Sequence, residues 1–231
     1  LGNPAASKTS KKFNKLSYPQ VLNYLGPYLY YNYMVRTEGN RLPAFIQTLT
    51  ALQKISGFEL LNAGSLQSVL VGFGINVQFI STHYNLYTHY KDPEKNDEER
   101  EGVDIVDLFR DNLAKKGGKT FLAFMQTLAD LKGISDFELL NETNLQGVLE
   151  GFGINVRNIN TYYKLHTHYK GKGVDVVEVF KRHLKASDGN TLPAFIETLA
   201  ELKGISDFRL LNEANLEGVL KGFGIDVRYI S

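Results

Sequence analysis

Apolar residues recur along this chain at spacings of three and four, with no sustained alternation, and such segments predict helices throughout. In TLPAFIETLAELKGI, Phe195, Leu199 and Leu202 follow the helical period, with Glu197, Glu201 and Lys203 between them. Thr191 is the expected cap, and Pro193 falls in the first turn, where a missing N–H costs nothing. Gly133 and Gly204 are expected to end this helix, each just after a lysine. The next helical segment is expected to open at Ser56, Ser135 or Ser206, with Glu59 and Glu138 completing a capping box in two of the three. NLQGVLEGFGINV then sets Leu145, Val148 and Leu149 on one stripe that stops at Gly151. A further helix is expected from Asn76, Asn155 or Asp226, and GVDVVEVFKRHLK adds another through Val177, Phe180 and Leu184. The pattern predicts an all-α fold with helix well above the usual third of residues.

These segments are copies of one another. Phe121 to Asn160 aligns without a gap onto Leu192 to Ser231 with 28 of 40 positions identical, and Leu42 to Ser81 aligns onto the middle copy with 24 of 40 identical. Unrelated sequences would agree at about two or three positions, so the chain is a tandem array of three homologous helical repeats. The offsets of 79 and 71 residues differ by an insertion in the acidic run at 92–101, which reads as a solvated loop. The expected organisation is a flexible basic arm at 1–12, repeat 1 at 13–81, repeat 2 at 82–160 and repeat 3 at 161–231, with about four helices each.

The first copy's leading helix departs from its sisters. Gly26 and Pro27 replace the residues matching Ile105 and Val106, and a proline there predicts a break near Leu25. Tyr24, Tyr28, Tyr30, Tyr31 and Tyr33 crowd this stretch, as expected of an atypical end-capping element.

Composition narrows the function classes. Cysteine is absent, which excludes disulfides and thiolate chemistry. With 26 basic and 25 acidic residues, no net field draws the chain to a phosphate backbone, despite the Tyr, His and Lys interleaving of TYYKLHTHYK. No window of about 18 apolar residues predicts a membrane span.

The chemical motifs read as structure. Gly72-Phe73-Gly74, Gly151-Phe152-Gly153 and Gly222-Phe223-Gly224 resemble part of a phosphate loop, but each follows a helix, with no third glycine and no Lys-Ser/Thr pair. They are expected to be helix stops, the phenylalanine and isoleucine packing back on the preceding turn. His83 and His89 are six apart and His166 and His168 two apart, so neither pair has the i, i+4 spacing of a helical metal site. His89 and His168 sit at equivalent places, which suggests a packing role. Asp104 and Asp175 stand at helix starts, where a negative charge meets the positive end of the dipole. No acid, histidine and serine form a catalytic set, so the reading is not an enzyme, with no cofactor and no metal.

The expected core of the repeats is Phe45, Phe73, Ile75, Phe124, Phe152, Ile154, Phe195, Phe223 and Ile225. The function read from the sequence is a non-catalytic structural or protein-interaction protein. Its expected partner is itself, as a homo-oligomer or filament, or another protein. The alternative is a carrier for a hydrophobic small ligand in an apolar helical cavity. The third copy stops at Ser231 without the Tyr- and His-rich segment that follows the other two, which leaves Ile225 and Ile230 without their cover. Head-to-tail association is therefore expected between these residues and the opening segment carrying Phe13, Tyr24, Tyr28 and Tyr31.

Overall fold

The computed structural model describes residues 18–56, 61–92 and 102–227, and the arm at 1–12, Phe13, Glu59, Ile230 and nearly all of the acidic run lie outside them. Among the described residues there are 11 helices and no strand, and 71% of these residues are helical. No helix among them is long and apolar enough to cross a membrane. The chain divides into two compact units. The first takes residues up to Asp104 together with Gly147–Asn155, and the second takes Ile105–Gln146 and Val156–Ser231.

In the first unit, α1 (Tyr18–Arg36) and α2 (Arg41–Ser56) form a helical hairpin, followed by α3 (Ala63–Gly72) and α4 (Ile80–Lys91). Its buried side chains include Val21, Leu22, Tyr30, Phe45, Leu52, Leu66 and Leu86. The second unit holds α5 (Ile105–Lys115) paired with α6 (Thr120–Ile134), then α8 (Ile159–Lys170), and α9 (Val176–Ala186) paired with α10 (Thr191–Ile205). It closes with α11 (Glu213–Gly222), around a core that includes Leu165, Tyr169, Phe180, Phe195, Leu202 and Leu216. Between α6 and α8 runs α7 (Glu142–Gly151), whose last turn belongs to the first unit.

Four local expectations need correction. Helix α1 runs through Gly26 and Pro27 without a break. Burial of Val21, Leu22 and Tyr30 along the same helix outweighs the lost donor, and Gly26 lets Leu66 approach. Gly133 and Gly204 lie inside the last turns of α6 and α10, which end at Ser135 and Ser206 in extended conformation. Ser135 and Ser206 are therefore C-caps of these helices, donating their backbone N–H to Leu131 O and Leu202 O at 3.0 Å, and do not open the next ones. The caps of the next helices are asparagines instead: Asn62, Asn141 and Asn212 accept from the N–H of Ser65, Asn144 and Asn215 at 3.0, 2.8 and 2.9 Å. Finally, α4 and α8 start at Ile80 and Ile159, four residues later than expected, after Phe79 and Asn158 at φ 64°.

Candidate functional site

The repeated Gly-Phe-Gly motif builds a close helix–helix contact among the described residues, because its two glycines have different tasks. The second is a helix cap. Gly153 at φ 79° donates to Glu150 O at 3.0 Å while Ile154 N–H reaches back to Leu149 O at 3.0 Å, the paired bonds of a Schellman motif. Gly74 and Gly224 close α3 and α11 with the same two bonds.

The first glycine removes a side chain where another helix arrives. In the first unit, a Cβ on Gly151 would lie 2.8 Å from Leu42 Cβ, at the start of α2. One turn earlier, a Cβ on Gly147 would overlap the ring of His83 on α4, and one on Gly153 would overlap the Asn40 side chain. Phe152 then packs against Tyr87 with ring centroids 4.8 Å apart. The second unit makes the equivalent set with different side chains. A Cβ on Gly222 would lie 2.6 Å from Phe121 Cβ, one on Gly224 would lie 2.6 Å from Lys119 Cε, and one on Gly218 would overlap the Tyr162 ring. Phe223 packs against His166 at 5.1 Å. Each unit thus contains a helix whose glycine face seats an apolar knob from the start of another helix.

Electrostatics at these contacts are those of desolvated groups. Burial, reinforced by the Arg41 guanidinium, lowers the pKa of His83 to about 4, so the ring is neutral at physiological pH. A cavity of about 30 Å³ beside it, lined by Arg41, Leu42, Val77, His83, Gly147 and Gly151 among others, has room for a water molecule. His166 is buried edge-on to Phe121, its Nδ1 has no hydrogen-bond partner, and burial lowers its pKa. The equivalent Tyr87 is better served: its hydroxyl donates to Asp104 Oδ2 at 2.7 Å and accepts from Lys91 at 2.7 Å.

The remaining sequence candidates disperse. Phe45, Phe124 and Phe195 are buried, the first two with a tyrosine edge-on at 5.9 and 6.3 Å. Ile75, Ile154, Ile225, Phe152 and Phe223 are half-buried. Phe73 is a correction: expected in the core, it is 59% exposed, because no described helix presents to it what Tyr87 and His166 present to Phe152 and Phe223. Tyr24, Tyr28 and Tyr31 are exposed, and their spacings of four and three set them on one face of α1. His168 stacks on Phe208 at 3.9 Å and hydrogen-bonds Ser206 at 3.0 Å, while His89 sits edge-on to Tyr90. On the surface of the second unit Glu201 bonds both Arg182 and His183, and the Arg182 bond is the main cause holding its carboxyl below the usual range. Among the described residues no group of three or more acids and histidines could hold a metal ion.

Sequence reading missed the partners of the glycine face, namely Asn40, Leu42, His83, Lys119, Phe121 and Tyr162. The available signal was a glycine in mid-helix at 147 and 218, four residues before a second one. A glycine there costs about 1 kcal/mol of helix propensity, which close packing of another element offsets. No family model matches the chain, no curated protein matches its sequence and no solved structure matches its fold.

Proposed function

We propose that the chain is a non-catalytic structural or protein-interaction protein, a helical-repeat array whose three sequence copies stack through the glycine-faced contact. Recurrence carries this reading. The contacts of Gly147, Gly151, Gly153 and Phe152 with His83, Leu42, Asn40 and Tyr87 reappear at Gly218, Gly222, Gly224 and Phe223 with Tyr162, Phe121, Lys119 and His166. Every residue on one side moves by 71 positions and every residue on the other by 79, the offsets of the sequence copies. A mid-helix glycine gives up about 1 kcal/mol of helix propensity, and at Gly147 and Gly218 the sequence accepts that loss where another helix docks. A protein whose copies each offer a knob and a seat is suited to extended contact with other protein surfaces. Native mass spectrometry of freshly purified chain tests the reading. Oligomers, or the bare 26.0 kDa mass, agree with it. A stoichiometric small molecule or oligonucleotide retained on the chain overturns it.

One observation favours the carrier as a second reading. A groove of about 500 Å³ in the first unit is lined by Pro43, Ile46, Tyr84, Tyr87 and Phe152, with Lys91 at its side. An apolar molecule carrying an anionic group would fit that lining, and co-purified lipid in the same mass spectrum would support it.

A further inference from the structure

Two bare surfaces in this chain are the two halves of the glycine-faced contact. The seat is the end of α3. Gly72 occupies the place of Gly151 and Gly222, yet a Cβ added at Gly72 or Gly74 meets no described residue within 4 Å. Val71 and Phe73 stand exposed beside it, above a groove of about 370 Å³ lined by residues that include Gln67, Val71, Gly74, Ile75 and Gln78. The knob is the start of α10. Leu42 and Phe121 are 1% and 2% exposed beneath their glycines, whereas the matching Leu192 is 48% exposed, with Ile196 exposed one turn later.

We propose that the start of α10 in one molecule docks on the end of α3 in a second copy of this chain, Leu192 over Gly72 and Asn190 beside Gly74. The proposal rests on the repeat reading above and adds the surface, the register and the partner. The occupant is a second copy because the proposed pairing repeats two contacts of the existing one, Leu42 on Gly151 and Asn40 beside Gly153, with Ser68 standing in the place of Gly147. The knob in α10, Asn190-Thr191-Leu192-Pro193-Ala194-Phe195, differs from Asn40-Arg41-Leu42-Pro43-Ala44-Phe45 only at its second position. The seat Gly72-Phe73-Gly74-Ile75-Asn76-Val77 is identical to Gly151-Phe152-Gly153-Ile154-Asn155-Val156. Leu42 already sits on Gly151 within the first unit, so Leu192 and Gly72 have the same shapes to offer. Val71 replaces Glu150 at the edge of the seat, which adds apolar area and removes a charge. A formal net charge of +1 opposes the approach of two copies only weakly. The contact is heterologous, so each molecule has one seat and one knob to offer.

Sedimentation velocity on the whole chain, from about 1 to about 100 μM, reads the association directly. The wild type is expected to exceed the 26.0 kDa of one chain as concentration rises. Leu192→Asp and Gly72→Gln are each expected to weaken association at least about tenfold, with unchanged far-UV spectra because both sites are bare in the single chain. An equimolar mixture of the two variants should form a one-to-one complex and nothing larger, since each variant brings one intact half. Tyr28→Ser, on the exposed tyrosine face of α1, should associate as the wild type does. A wild type that is monomeric at 100 μM overturns the proposal, as do variants that associate normally or a Tyr28→Ser that abolishes association. A monomer carrying no ligand leaves the interaction reading standing with other partners. A stoichiometric ligand in the mass spectrum fells that reading, whatever the sedimentation result.

Discussion

Gly151→Ala adds one methyl group at the point where α7 meets the start of α2, and the consequence follows from which atom it meets. That atom is Leu42 Cβ at 2.8 Å. Every residue except glycine carries a Cβ in that place, so no rotamer change at Leu42 relieves the overlap and the helix must shift. Overpacking of this kind costs about 1–3 kcal/mol. Alanine in place of glycine returns up to about 1 kcal/mol in a helix interior, and less at a last helical residue such as this one. The expected net loss is about 1–2 kcal/mol, a drop in Tm of about 2–8 °C for a chain of this size. Gly222→Ala should cost more, about 2–3 kcal/mol. There the methyl meets the Cβ, Cγ and Cδ1 of the buried Phe121 at 2.6, 3.0 and 3.1 Å. Gly72→Ala is the internal control, because the same substitution at the same place in the sequence repeat meets nothing and should leave Tm unchanged or slightly raised. Thermal melts by far-UV ellipticity at about 1 μM keep the comparison free of self-association, which would add its own stabilisation. If Gly151→Ala and Gly72→Ala melt together within about 1 °C, the glycine is a cap residue and the docking argument fails.

Acidification should weaken the first unit through His83. With a folded pKa of about 4 against 6.5 when unfolded, the unfolded chain binds the extra proton between those values. Stability is therefore complete above about pH 6.5 and falls as pH drops toward 4, by about 2 kcal/mol at pH 5. His83→Phe should flatten that part of a urea-midpoint against pH curve, and an unchanged slope would assign the loss elsewhere. His166→Tyr replaces an imidazole with an unpartnered buried nitrogen by the residue found at the equivalent Tyr87, whose hydroxyl reaches Asp104. Asp175 stands at the matching place, so the variant should gain about 1 kcal/mol, and a loss of stability in the melt would mean that the phenol does not fit. Tyr30→Phe removes a buried hydroxyl that has no partner and whose pKa burial pushes up to about 12. It should be neutral or stabilising by up to about 1 kcal/mol, and a loss above that in urea unfolding would reveal a bond to the hydroxyl.

The helices were legible because a helix is decided by neighbours three and four residues away, and Phe195, Leu199 and Leu202 or Val177, Phe180 and Leu184 state that period openly. Their ends were less legible because several capping choices compete locally. Ser135 followed by Glu138 is a valid capping box on paper, but Asn141 takes the cap once Leu140 and Leu145 are buried beside it. Pro27 misled for the same reason in reverse: its local cost is fixed, and only the burial of Leu22 and Tyr30 reveals that the helix can bear it. The candidate site was legible in one half only. A glycine at 147 or 218 announces that something must come close, but the sequence does not name the visitor, which lies 64 residues away for His83 and 56 for Tyr162. What identifies it is the repeat itself. Two sets of contacts are displaced by the offsets of the sequence copies, and that shared displacement is what supports the proposed distinction between residues that build the fold and residues that join one copy to the next. Phe45, Phe124 and Phe195 are buried in all three copies and so belong to the fold. Leu42 and Phe121 are buried where a glycine from another helix covers them and Leu192, with no such cover, is exposed, which is the dependence expected of the joining surface proposed above.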